Sequence, residues 1–276
     1  MLDLFEIARN NRDALEARFA ALKSSASPDV AGSLQRFADA VLNNGRVSIN
    51  MRPMPLLSFL VSGFHQNIYE WSRSRGEESG KPPEDIIRER LGAFYSKRIA
   101  FDRYFANGET FRYGALNIGG TGAKVYGDYC AILLNRAFDG PEIAYLKSDS
   151  LKTYVKADGA VDEGVLREDA APHSHRHASA CLKCASELAK TAEEAWAALL
   201  CSDSDFVEAV FSAQITPGEV EAIRIERKQY RELFEYGFEN FREKLTDERR
   251  NLVEAFVLIK RLLRQNSIPL EVVPNA

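Results

Sequence analysis

The sequence predicts an α+β fold with a mixed or antiparallel central sheet, on three observations. Helix-period apolar patterns come first, strand-like segments cluster in the middle, and two further helical patterns come late. Runs of helices and then of strands argue against alternating βαβ units. Three regions follow: an N-terminal helical segment (1–45), an α+β core (46–226), and a C-terminal helical hairpin packed on that core (227–276).

Leu4, Ile7, Leu15, Phe19 and Leu22 recur at helical spacing over residues 3–23, and Val30, Leu34, Phe37 and Val41 over 28–43. Ser27-Pro28 is a start signal and Asn43-Asn44-Gly45 a breaker. Arg46–Asn50 reads as a short strand, and Pro53 and Pro55 open a helix running from Leu56 to about Arg73. A polar loop over 74–84 precedes a helix carrying Ile86, Ile87, Leu91, Phe94 and Tyr95. Phe111–Ile118, Lys124–Leu134, Glu142–Leu146 and Leu151–Val155 have strand composition, and 156–172 reads as a solvated loop. Ala178–Leu200 reads as one helix. Phe206–Phe211 and Val220–Ile225 read as strands, Lys228–Leu245 and Asp247–Arg264 (begun by the Thr246 cap) as helices, and Leu270–Val273 as a last strand.

Of the 276 residues, 45% are hydrophobic and 28% charged, with a net charge of -4. This is ordinary globular composition without the basic excess of a nucleic-acid binder. The N-terminal stretch lacks a signal-peptide pattern and no segment approaches a membrane span, so a cytoplasmic protein is expected. Four cysteines do not make a disulfide scaffold in a chain this long; reduced thiols or a metal site fit better.

Several constellations suit chemistry. Gly119, Gly120 and Gly122 lie between two strands, where glycine amides can cradle phosphate, although neither a Walker nor a dinucleotide fingerprint is present; a plain hairpin loop is the commoner origin of such a cluster. Arg52 ends the first strand and suits a phosphate, although a single arginine is most often a solvated surface group. Alternation puts Phe206, Glu208 and Val210 on one strand face and Val207, Ala209 and Phe211 on the other. Glu208 is therefore either solvent-facing or a carboxylate held in a cleft. His173, His177, Cys181 and Cys184 have imidazole and thiolate donors that suit zinc, with His175 an alternative fourth ligand; the same cysteines also fit a buried helix stripe. His65 lies in an apolar stretch and is either a core histidine or a cleft residue.

Three stretches, VSINMR (Val47–Arg52), RYGALN with VYGDYCAIL (Arg112–Asn117 and Val125–Leu133) and FVEAVF with ITPGEVEAIRI (Phe206–Phe211 and Ile215–Ile225), carry a resemblance. In this order they resemble the ADP-ribosyltransferase fold, in particular a bacterial group of toxin and effector type, over about residues 46–226. The resemblance implies NAD as substrate, Arg52 as its clamp, Tyr113, Gly114, Tyr126 and Asp128 around it, and Glu208 as the catalytic carboxylate. Tyr126-Gly127-Asp128 replaces the family's hydroxyl motif, and Phe206 stands where arginine-modifying members carry Gln or Glu. The sequence thus leaves open an ADP-ribosyltransferase acting on a macromolecule (a toxin, effector or defence protein), a non-catalytic ligand-binding or interaction module on the same fold, and a zinc-stabilised regulatory protein.

Overall fold

A computed structural model describes residues 2–139, 142–239 and 246–274, with residues 238 and 239 described by backbone alone. Asp3 caps α1 (Leu4–Asn10) through its carboxylate. α2 (Arg12–Ser25) and α3 (Pro28–Asn44) follow, and Pro28 sits in the first turn of α3, where its missing N–H costs nothing. Then come β1 (Arg46–Met51), α4 (Pro53–Ser62), α5 (Ile68–Ser79), α6 (Pro83–Leu91) and α7 (Tyr95–Tyr104). The centre holds β2 (Arg112–Asn117), β3 (Tyr129–Leu133), β4 (Ile143–Leu146), α8 (Ser150–Thr153), α9 (Glu163–Asp169) and β5 (Ala171–Pro172). The remainder is α10 (Arg176–Leu188), α11 (Trp196–Leu200), β6 (Glu208–Phe211), β7 (Val220–Glu226), α12 (Arg227–Glu239), α13 (Asp247–Gln265) and β8 (Leu270–Val273).

The eight strands form one mixed sheet in the order β5-β4-β6-β2-β1-β3-β7-β8. Every pair is antiparallel except β7 with β8. One sheet face carries Val47, Ile49, Met51, Leu116, Ala131, Leu133, Ala209 and Phe211, all buried. Leu34, Phe37 and Val41 of α3 and Phe256, Ile259 and Leu263 of α13 join the same core. A second apolar cluster, around Phe101, Phe105, Phe111, Leu146 and Val210, includes Leu4 and Ile7 of α1. The α+β reading therefore holds, as do the strand at Arg46, the Thr246 cap and the closing strand at Leu270.

Several element boundaries differ, each for a local reason. The first helix is broken at Asn11, whose amide donates to the carbonyls of Glu168 and Ala170. The helix expected from Leu56 to Arg73 breaks at Gly63, left-handed at φ 80°, and α5 restarts under an Asn67–Glu70 capping box. α5 continues to Ser79, so part of the expected 74–84 loop is helical. Lys124–Tyr126 is a helical turn rather than strand. Asp149 caps Leu151 and Lys152, turning the expected strand Leu151–Val155 into α8. α9 forms inside the expected 156–172 loop, and the expected Ala178–Leu200 helix divides into α10 and α11. The expected end of the Lys228–Leu245 helix runs into residues 240–245, outside the described residues.

Candidate functional site

β1 and β2 pair only over Arg46–Ser48 and Ala115–Asn117. Beyond that row β1 pairs with β3 through Met51, while the start of β2 pairs with β6. The hydrogen-bonded pairing of the two central strands thus ends at the row Glu208–Ala115–Ser48, and Glu208 lies on that row. Alternation puts Ser48, Asn50, Tyr113, Ala115, Asn117 and Glu208 on the sheet face opposite the main core.

Glu208 opens β6 with only 4% of its surface exposed. Its Oε2 accepts the Ser150 N–H at 2.8 Å. Burial pushes the carboxyl up to about 7, the nearby Arg98 guanidinium opposes that rise, and Asp149 adds to it. A carboxyl so placed suits acid–base work near neutral pH, whereas opposing a positive charge requires its ionised form, which Arg98 favours. The Ser150 hydroxyl is buried beside it and, with the Ser150 N–H, favours the ionised carboxylate.

Arg98, on α7, lies over the Tyr113 ring at 3.6 Å from its centroid and 3.5 Å from Asp102. This is a cation–π contact closed by an ion pair one helical turn on. Asp102 is fully buried and accepts hydrogen bonds from the hydroxyls of Tyr113 and of Tyr69, the latter at 2.9 Å. Burial still raises the Asp102 carboxyl above its ordinary range, against the pull of Arg98 and the two tyrosines. Tyr113 stands diagonal to Glu208 across the β2–β6 pair, since Ala115 faces Glu208 and Tyr113 faces Val210. A packed network of α5, α7 and β2 thereby holds a guanidinium within electrostatic reach of Glu208.

Tyr126 closes the other side. It is 53% exposed, its ring meets Phe206 edge-on at 6.1 Å, and its hydroxyl donates to Asp149 at 3.4 Å. Its phenol is raised above the ordinary value by burial of the hydroxyl end and by the charges of Asp149 and Glu208. Burial raises the carboxyl of Asp128, two residues on, against the charge of Lys124 and, more weakly, of Arg52. Arg52 is exposed and caps α4 with its backbone; among the described residues its side chain makes no hydrogen bond or close ion pair. The turn from Tyr126 to Asp128 therefore links the Glu208 side to the Arg52 side.

Gly114 departs from its expected place. Alternation sets it on the face opposite Tyr113, and a Cβ there would lie 2.7 Å from the Ser48 carbonyl oxygen. It is glycine because β1 passes against it, a packing requirement. The glycine loop is folded back on the sheet. Asn117 accepts the amides of Gly119 and Gly120 at 2.8 and 2.9 Å, and Asn50 donates to the carbonyls of Thr121 and Gly127. Two of the loop's amides are thus already used inside the protein.

The histidine–cysteine set does not converge. His173 faces the Tyr145 hydroxyl at 3.0 Å, while His177 packs edge-on to Phe19 at 5.6 Å. Cys181 and Cys184 are buried in the main core, their thiols directed at the carbonyls of Leu34 and Leu199. Burial pushes the Cys184 thiol up to about 12 and holds His173 down at about 4. Among the described residues no group of three or more His, Cys, Asp or Glu side chains is placed to hold a metal ion. His65 is half-buried, its ring against Phe59 and its pKa lowered to about 4 by burial.

Arg98, Asp102 and Tyr69 escape a reading by strand motifs because all three lie on helices. One signal was available: Asp102 lies within the largely apolar run Ile99–Phe105, where a carboxylate needs a partner, and Arg98 stands one turn before it. Among the described residues no helix is long and apolar enough to cross a membrane. No family model matches the chain, and no curated protein matches its sequence.

Proposed function

We propose that the sheet face where β1 and β2 cease to pair is the nucleotide site of an ADP-ribosyltransferase that transfers ADP-ribose from NAD to a macromolecule. The observation that carries this reading is Glu208: a buried carboxyl, ionising near pH 7, on the polar sheet face where the pairing of the central strands ends. The N-glycosidic bond breaks with its electron pair leaving on nicotinamide, and positive charge builds on the ribose C1. A fixed carboxylate opposes that charge, and the target's nucleophile then bonds to C1 and releases its proton. Arg98 favours the ionised form of Glu208. Tyr126 offers an exposed ring for stacking, Arg52 a guanidinium for the pyrophosphate, and Asp128 an acceptor for hydroxyls.

The test incubates the protein with NAD labelled in its adenylate half and a cell lysate. Glu208→Gln and Arg52→Ala run in parallel, with their folding checked by circular dichroism. Transfer of label to protein with release of nicotinamide is expected, reduced about 100-fold or more in Glu208→Gln and less in Arg52→Ala. NAD binding without turnover, unchanged in Glu208→Gln, identifies a binding module instead. Neither binding nor turnover in the wild type ends the nucleotide reading.

A further inference from the structure

A second site lies away from Glu208, between the two C-terminal helices. α12 and α13 are antiparallel: the Tyr230 and Phe256 rings meet at 5.7 Å, and Arg249 lies over Tyr236 at 4.7 Å. Between them runs a groove of about 630 Å³, a size that suits a small molecule.

Its polarity is graded along its length. α12 contributes Leu233, Phe234 and Gly237 to one wall. α13 contributes the stripe from Val253 to Gln265, spaced by threes and fours along one helix face, roughly 17 Å from Val253 to Arg264 at 1.5 Å per residue. The first half of that stripe is Val253, Phe256 and Val257; the second half is Lys260, Arg261 and Arg264, followed by Gln265. Among the described residues no acidic side chain lines the groove. Arg261 and Arg264 are exposed, and neither side chain pairs with a carboxylate among the described residues.

The apolar half is open. Phe234 is 50% and Val257 59% exposed. Gly237 sits inside a helix, where glycine costs about 1 kcal/mol relative to alanine, and a Cβ there would meet nothing within 4 Å among the described residues. Packing among the described residues therefore does not require this glycine, and its lack of a side chain leaves that wall of the groove clear. Lysine and arginine near a helix C-terminus also interact well with the helix dipole. That accounts for the charges, but not for a continuous apolar trough leading up to them.

We propose that this groove binds a single-chain anionic amphiphile, its tail between Leu233, Val253 and Val257 and its carboxylate or phosphate head at Arg261 and Arg264. An acidic amphipathic peptide, by contrast, would need cations along the whole length of the groove.

The test titrates the full chain with 11-(dansylamino)undecanoic acid below its micellar concentration. Saturable one-to-one binding is expected, displaced by dodecanoate or dodecyl phosphate and at least tenfold less well by dodecanol. Gly237→Leu, whose side chain enters open space, should weaken binding at least tenfold while the circular dichroism spectrum is kept. The double variant Arg261→Glu/Arg264→Glu should weaken dodecanoate at least tenfold and leave dodecanol unchanged. Glu208→Gln should bind as the wild type does, which keeps this site separate from the nucleotide reading. Absence of saturable binding, equal displacement by dodecanol, or wild-type affinity in both groove variants overturns the proposal. Displacement by an acidic amphipathic peptide but not by dodecanoate also overturns it, in favour of a peptide groove.

Discussion

The two faces of the central sheet are built from alternate residues of the same strands, yet they follow different rules. On β6, Ala209 and Phe211 point into the main core while Glu208 points into the polar cluster. On β1, Val47, Ile49 and Met51 are core, whereas Ser48 and Asn50 bond to β2 and to the glycine loop. The apolar face is held chiefly by packing, and its few buried polar groups sit at its margin with a partner each: Arg112 opposite Phe211 bonds to Glu70, and Tyr145 faces His173. The polar face keeps Glu208, Asp102 and Arg98 nearly dry and satisfies them with one another, with tyrosine hydroxyls and with a backbone amide. One face makes the fold stable; the other carries charge that costs stability, as functional sites commonly do.

Substitutions on one strand separate the two. Phe211→Ala removes a fully buried ring from the apolar face and should cost about 3 to 5 kcal/mol, read as a shift of the urea unfolding midpoint at constant slope. A much smaller loss would mean that this face is not close-packed.

Glu208→Gln, three residues away on the opposite face, should act in the other direction. The folded-state carboxyl stands near 7 against an ordinary value of 4.5. Its contribution is therefore most favourable below about pH 4.5 and declines as pH rises through 7. Ionisation costs at most about 3 kcal/mol of stability. The glutamine variant should match the wild type near pH 4.5 and exceed it at pH 8, as measured by unfolding at both values. An identical pH dependence in both proteins would show that Glu208 does not titrate as described.

Tyr69→Phe makes the smallest change. It removes one of the two tyrosine donors to Asp102, leaving the buried carboxylate to Tyr113 and Arg98, and should cost about 1.5 to 3 kcal/mol. Equal stability of the single variant and the wild type would remove the network from the account.

Alternation alone was enough to put Glu208 and Phe211 on opposite faces, because a strand's period of two survives any packing. The helix-period stripes of α3 and α13 were legible for the same reason. Breaks within helices were not. Asn11 interrupts α1 and α2 to reach carbonyls more than 150 residues away, and no local pattern announces such a partner. The strand composition of Leu151–Val155 was outweighed by one capping carboxylate, Asp149. The zinc reading rested on spacing along α10, but metal ligation needs convergence in three dimensions, and α10 directs its two thiols into the core instead. Arg98 reaches Glu208 only through the packing of a helix on the sheet, a relation that sequence separation hides.

The strand order bears on how the chain is made. β1 emerges early in synthesis, yet it lies in the middle of the sheet, and its neighbours β2 and β3 begin some 60 to 80 residues later. At ribosomal rates of about 5 to 20 residues per second, Val47, Ile49 and Met51 wait several seconds with neither flank hydrogen-bonded. The strands outside β3, first β7 and then β8, arrive later still. A nascent chain with an unpaired apolar strand is a natural client for a holdase, and its assembly should depend on non-local closure more than on helix formation.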